Sequence, residues 1–145
     1  MVSERVPLSI LNNLISDDQY ARKTIPFIDP EYFEERTDKI VFNEIVKFIK
    51  EYDELPTKEV LQIEVGKRTD LTQDEFQNTE QLINSLGDAE YESKWALDTT
   101  EAWCKERAIY NALMESIKIA DGQDEKKNRD AIPSILSDAL AVGFD

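Results

Sequence analysis

Carboxylates are the only abundant reactive groups in this chain. Thirty-one Asp and Glu side chains stand against no histidine and a single cysteine, Cys104. Without imidazole there is no Ser-His-Asp or Cys-His arrangement, no Glu-x-x-His carboxylate metal motif and no His-ligated zinc site. A lone cysteine also excludes a cysteine zinc cluster within one chain. Carboxylates can do acid–base work unaided, but Asp17-Asp18, Glu34-Glu35 and Asp74-Glu75 fall at predicted helix starts or on exposed faces. There, acids stabilise the positive end of a helix dipole. The only Gly-Lys pair, Gly66-Lys67, is followed by Arg68 and has Leu61 five residues before Gly66. A phosphate loop needs glycine at that place so that its backbone amides can wrap the phosphates. No catalytic, cofactor-binding or metal-ligating residue is therefore expected.

Charge and composition narrow the partners. A formal net charge of −14 repels phosphate, and the densest basic spots, Lys67-Arg68 and Lys126-Lys127, are short and flanked by acids. Direct tight binding of DNA or RNA is not expected, whereas a basic protein could be attracted. The N-terminus has no unbroken apolar run of signal-peptide type, and no stretch approaches the ~20 apolar residues that span a bilayer. Cys104 lies among apolar neighbours, where a small buried hydrophobe is the default and a reducing compartment fits. A chain of 145 residues with 41% hydrophobic content can bury a real core.

The elements that position these groups read as helices throughout. Glu4 to Ile15 puts Val6, Ile10, Leu11, Leu14 and Ile15 on one face, with Pro7 tolerated in the first turn. Asp17 or Asp18 caps a second helix through Tyr20 and Ile25 that Pro26 stops. Asp29-Pro30 opens a single turn that drops Tyr32 and Phe33 inward. Thr37 to about Tyr52 carries the stripe Ile40, Val41, Ile45, Phe48, Ile49 and Tyr52. Pro56-Thr57 restarts the chain. The β-branched residues that follow, Val60, Ile63 and Val65, would suit a strand, but Thr57 caps well and no partner strand is visible, which favours helix. Thr72-Gln73-Asp74-Glu75 is a capping box opening a helix with Phe76, Leu82, Ile83 and Leu86, ended by Gly87.

Beyond about residue 90 the pattern lengthens. Lys94 to Ala120 forms one arm, with an a/d series Ala96, Thr99, Trp103, Glu106, Tyr110, Leu113, Ile117, Ala120 in which Glu106 is out of character. A second stripe through Trp95, Ala102, Ile109, Ala112 and Ile119 makes it apolar on more than one side. A turn over residues 121–128, with Gly122 as C-cap glycine, leads to a return arm from Arg129 to about Gly143 carrying Ile132, Ile135, Leu136, Ala139, Leu140 and Val142. The expected fold is all-α: a compact multi-helix head, residues 1–90, followed by a long antiparallel helical hairpin, residues 91–145. Two functions fit the residues. One is a scaffold or oligomerisation module using surplus apolar surface on the hairpin. The alternative is a small acidic all-helical enzyme or ligand-binding protein with a carboxylate-lined site.

Several ordered runs also resemble a known family. Residues 7–14 (PLSILNNL), 27–33 (FIDPEYF), 95–103 with Trp95-Ala96-Leu97 and Thr100-Glu101-Ala102-Trp103, 106–117 (ERAIYNALMESI) and 132–140 (IPSILSDAL) are similar to the N-terminal part of the T-even-type phage replicative DNA helicases, of the DnaB-like hexameric family. The likeness covers nearly the whole chain and is weakest from Leu55 to Tyr91. It implies a helical head and hairpin, with hairpins of neighbouring subunits packed into a collar on the hexameric ring. It further implies that the linker helix and the RecA-like motor domain, which uses ATP and Mg, follow in the parent. The chain is then expected to be an excised domain or a fragment cut at Asp145, with no cofactor and no helicase activity of its own. By resemblance, its work is to support hexamer assembly as a homo-oligomer and to present a surface to primase. A helicase loader is a further partner the family allows, and the setting is the cytoplasm of an infected host cell. Hairpin residues expected to pack subunits are Trp103, Tyr110, Leu113, Ile117, Ile132, Ile135, Leu136 and Leu140, about half of which must instead seal the hairpin itself.

Overall fold

Seven α-helices account for the described part of the chain, residues 5–88 and 92–144 of a computed structural model. They are α1 (Arg5–Ser16), α2 (Asp18–Thr24), α3 (Arg36–Tyr52), α4 (Lys58–Gly66), α5 (Gln73–Ser85), α6 (Ser93–Ala120) and α7 (Ile132–Leu140). Short 3-10 turns lie at Ile25–Phe27, Pro30–Tyr32 and Arg129–Ala131, and no strand occurs among the described residues. The fold is all-α, a helical head followed by an antiparallel pair, α6 and α7. Among the described residues no helix is long and apolar enough to cross a membrane. The expected helix start at Glu4 and the head–hairpin boundary at residues 90 and 91 lie outside the described residues.

Local sequence accounts for several helix ends, and side chains from elsewhere in the chain hold others. Asp17 accepts a hydrogen bond from the Tyr20 amide, and Thr57 accepts one from Val60, as short polar side chains do at N-caps. The Thr72–Glu75 capping box is complete, hydroxyl and carboxylate each taking the other residue's amide. At the far end of α5, Lys58 Nζ donates to the carbonyls of Asn84 (2.9 Å) and Leu86 (2.8 Å), supplying the donors that a helix C-terminus lacks. Gly87 follows, its amide held by Asn12 Oδ1 at 2.9 Å, which ties the end of α5 to α1. Asp53 ends α3 in the left-handed region (φ 56°), a conformation Asp tolerates better than most residues, and its carboxylate and carbonyl are both clamped by Arg22.

The head core forms where α1, α3, α4 and α5 turn their apolar faces together. Leu11, Leu14, Val41, Ile45, Val65 and Ile83 are completely buried there. Each such side chain contributes about 1.5–3 kcal/mol relative to exposure. The same cluster runs on into α6 through Ala96, Trp103 and Cys104, so the first half of the long helix is part of the head's packing. A buried polar link reinforces the joint. Thr100 Oγ1 donates to the Ala96 carbonyl (2.7 Å), which leaves the Tyr20 hydroxyl to donate to Thr100 Oγ1 at 2.6 Å. Burial raises the Tyr20 pKa well above that of an ordinary phenol.

Two sequence expectations need correction. Tyr52 is exposed rather than part of the α3 core stripe, packing only its ring on Phe48 at the surface. The return arm is also shorter than expected: Arg129–Ala131 is a 3-10 turn, and α7 ends at Leu140 instead of continuing to Gly143. The reason is at its end. The Phe144 amide donates to Glu101 Oε2 (2.8 Å) and its ring stacks on Phe27, so residues 142–144 return to the base of α6 and leave the helical path.

Candidate functional site

The hairpin offers two faces of different character. α6 has 28 residues, and at 1.5 Å rise per residue it is roughly 42 Å long; α7 has nine, roughly 14 Å. The seam between them is made of small side chains. Ala108, Ala112 and Ala139 are buried, with Ile109, Ile135, Leu136 and Val142 packed around them. The turn at the distal end uses Gly122 at φ 76°, with the Gly122 and Gln123 amides donating to the Ile119 and Lys118 carbonyls, an αL-glycine helix stop. Lys127 then reaches back to Glu115 at 2.7 Å and fixes the loop along α6.

Opposite the seam, α6 presents an apolar stripe to solvent. Tyr110 is 52% exposed, Leu113 48%, Met114 42% and Ile117 53%. Their spacing i, i+3, i+4, i+7 puts all four on one side of a helix turning about 100° per residue. About half of each of four large side chains is bare, on the order of 400 Å² of apolar patch, as large as the biggest patch on an ordinary monomer.

The stripe is set against the head by a buried cation. Arg107 is 5% exposed and spends its guanidinium on the Pro30–Tyr32 turn: Nε donates to the Tyr32 carbonyl at 2.5 Å, Nη1 to Glu34 at 2.9 Å and Nη2 to Asn111 at 3.3 Å. Asn111 in turn donates to the Glu31 carbonyl at 2.8 Å. The Arg107 carbon lies 4.9 Å above the Tyr110 ring, a cation–π contact that fixes the first residue of the stripe. The aromatic rings of Tyr32 and Phe33 pack on Trp103 just below. Between this turn and the stripe lies an open groove of about 660 Å³, bounded by Phe33, Arg107, Tyr110 and Met114; a smaller crevice of about 280 Å³ lies on the seam side.

The eight residues expected to pack subunits separate into three groups. Trp103, 3% exposed, belongs to the head core and takes the intramolecular side of the alternative, so its large ring has nothing left to offer a neighbour. Ile135 and Leu136 seal the hairpin, and Ile132 is half-buried at the start of α7. Tyr110, Leu113 and Ile117 share the outer face of α6, while Leu140, 73% exposed, stands on α7 beside the seam. Met114, Arg107 and Asn111 were not singled out. Met114 had a readable signal, since it lies four residues after Tyr110 and three before Ile117. Arg107 had only its adjacency to Glu106, the residue that fits the heptad least.

Groups capable of chemistry are muted. Burial pushes the Cys104 thiol up to about 12, so it carries almost no nucleophilic thiolate at neutral pH. Burial also raises Tyr32, aided by the nearby Cys104 and Asp29. Among the described residues no group of three or more His, Cys, Asp or Glu side chains is arranged to hold a metal ion.

No family model matches the chain. The chain is 33% identical over 144 residues to a DnaB-like replicative helicase of Enterobacteria phage T4; the alignment covers 94% of this chain and 30% of that protein's length. The chain is thus similar along nearly its whole length to a part of a DnaB-like replicative helicase, and spans about 30% of that protein's length.

Proposed function

We propose that the chain is the non-catalytic N-terminal domain of a replicative DNA helicase, whose hairpin supports assembly of the subunit ring and which offers a surface to primase at the fork. The observation that carries the assembly role is the bare stripe Tyr110, Leu113, Met114 and Ile117, on the side of α6 turned away from α7. A patch of ~400 Å² is about half of the ~800 Å² per partner that a stable protein interface buries. Hairpin contacts alone therefore give weak association, and the remainder of the longer protein, including a motor that uses ATP and Mg, supplies the rest. The net charge of −14 argues against direct tight contact with nucleic acid, leaving proteins, primase and a helicase loader among them, as the partners of this region.

The test is Tyr110→Glu in the full-length protein. Hexamer formation, followed by sedimentation across a concentration series, is expected to weaken at least tenfold, while the 145-residue chain carrying the same change keeps its helical signal. Full-length Tyr110→Glu protein that assembles as well as the wild type would sink the assembly role.

A further inference from the structure

The crevice where the hairpin seam meets the Pro30–Tyr32 turn has charge of one sign only. Its floor is small and apolar, with Ala108 and Ala112 of α6 facing Ala139 of α7. Asp29, Glu31, Glu115 and Asp138 stand around it, and among the described residues no lysine or arginine lines it. Glu31 is matched from outside by Lys39 at 3.4 Å and Glu115 by Lys127 at 2.7 Å. Asp29 and Asp138 join no ion pair among the described residues. The space of about 280 Å³ suits one long side chain better than a whole small ligand. Lysine and arginine lay their methylene stems on apolar surface and hold the charged head among polar groups, which matches an alanine floor inside a ring of carboxylates. The wider groove beside it shares Glu31, Asn111 and Glu115 but is lined also by Lys39, Arg107 and Lys118, so a basic segment is better matched in the crevice.

We propose that this crevice receives a lysine or arginine side chain from an amphipathic basic segment of a partner protein, whose neighbouring apolar residue lies against Ile135 and Val142 of the same crevice. This rests on the reading of the chain as a protein-interaction domain and adds the chemistry of the partner. Charge complementarity selects the occupant. A phosphate backbone is repelled by the rim, and a second copy of the chain, itself at −14, is a poorer match than a basic protein.

The experiment titrates the 145-residue chain with a short helical leucine–lysine peptide, following backbone amide shifts. Two controls replace lysine by glutamate, or leucine by serine. The leucine–lysine peptide is expected to saturate with shifts centred on Ala112, Asp138 and Ala139, and Asp138→Lys is expected to weaken it about tenfold or more. Asp138 is exposed near the C-terminal end of α7, where a cation suits the helix dipole, so this variant should fold; Glu115→Gln provides a second, independent weakening. Shifts scattered over the surface, binding indifferent to both substitutions, or equal saturation by the serine–lysine peptide would overturn the proposal. So would shifts at the crevice that arise from self-association without peptide. Ring assembly is read separately. If the leucine–lysine peptide fails to dock on the unmodified chain while the full-length protein still forms hexamers, only the crevice assignment falls; if Tyr110→Glu leaves hexamers intact, it is the assembly role that fails.

Discussion

The head and the distal hairpin are both built from helices but are sealed to different degrees. In the head, Leu11, Leu14, Val41 and Ile45 are all 0% exposed, and four helices close around them. The hairpin has two arms of unequal length, a seam of three alanines at 7%, 7% and 8% exposure, and large apolar side chains facing outward. Branched side chains fill space between several helices, whereas alanines let two helices approach closely but bury little area each. The head therefore stabilises itself, and the hairpin borrows order from the head through Trp103 and Arg107.

The contrast can be broken in stages. Trp103→Ala, at the joint, is expected to cost about 4 kcal/mol and lower the stability of both regions together, as read by chemical denaturation. Arg107→Met leaves the Tyr32 carbonyl without its donor and should cost about 2 kcal/mol. Hydrogen exchange would show faster exchange in α6 beyond residue 107 and in α7, with α1 and α3 still protected. Ala112→Leu forces volume into the seam and should cost about 1.5 kcal/mol, again confined to the hairpin. If the head loses protection equally in that variant, the two regions are one cooperative unit and the contrast is wrong.

The smallest effect lies in the head. Burial, with help from Glu35, raises the Asp38 carboxyl to about 6. The folded state then holds a proton that the unfolded chain, with an Asp pKa near 3.9, has released, so stability falls as pH rises through roughly 4 to 6. Asp38→Asn should remove that decline. Since Asp38 is only half-buried, the gain at pH 7 is expected to be about 1 kcal/mol or less, measured by denaturation at pH 4 and pH 7.

Local chemistry made much of this fold legible. Thr57, Thr72 with Glu75, Asp17 and Gly122 announce helix ends because a cap is decided by a few neighbouring atoms. Even the β-branched α4 segment resolves as helix on the strength of its Thr57 cap. The hairpin seam was harder to read. A heptad picks out Ala96 and Trp103, which are buried, but drifts to the exposed Tyr110 and Ile117; beyond Trp103 the residues that turn inward are Cys104, Arg107, Ala108, Ala112, Ser116 and Ile119, of which the second stripe contains only Ala112 and Ile119. Most of those are small or polar, so an apolar stripe is a poor guide to them. The role of Arg107 depends on the Tyr32 carbonyl, 75 positions earlier in the chain, which no spacing rule contains.

The return of Val142 to Phe144 onto the base of α6 also has a mechanical side. Phe144 is held by the Glu101 carboxylate and by Phe27, so both ends of the α6–α7 excursion are moored beside one another on the head. Tension applied near residue 144 would be borne there first, in shear across the Phe27–Phe144 stack, and would not peel α7 away from its tip.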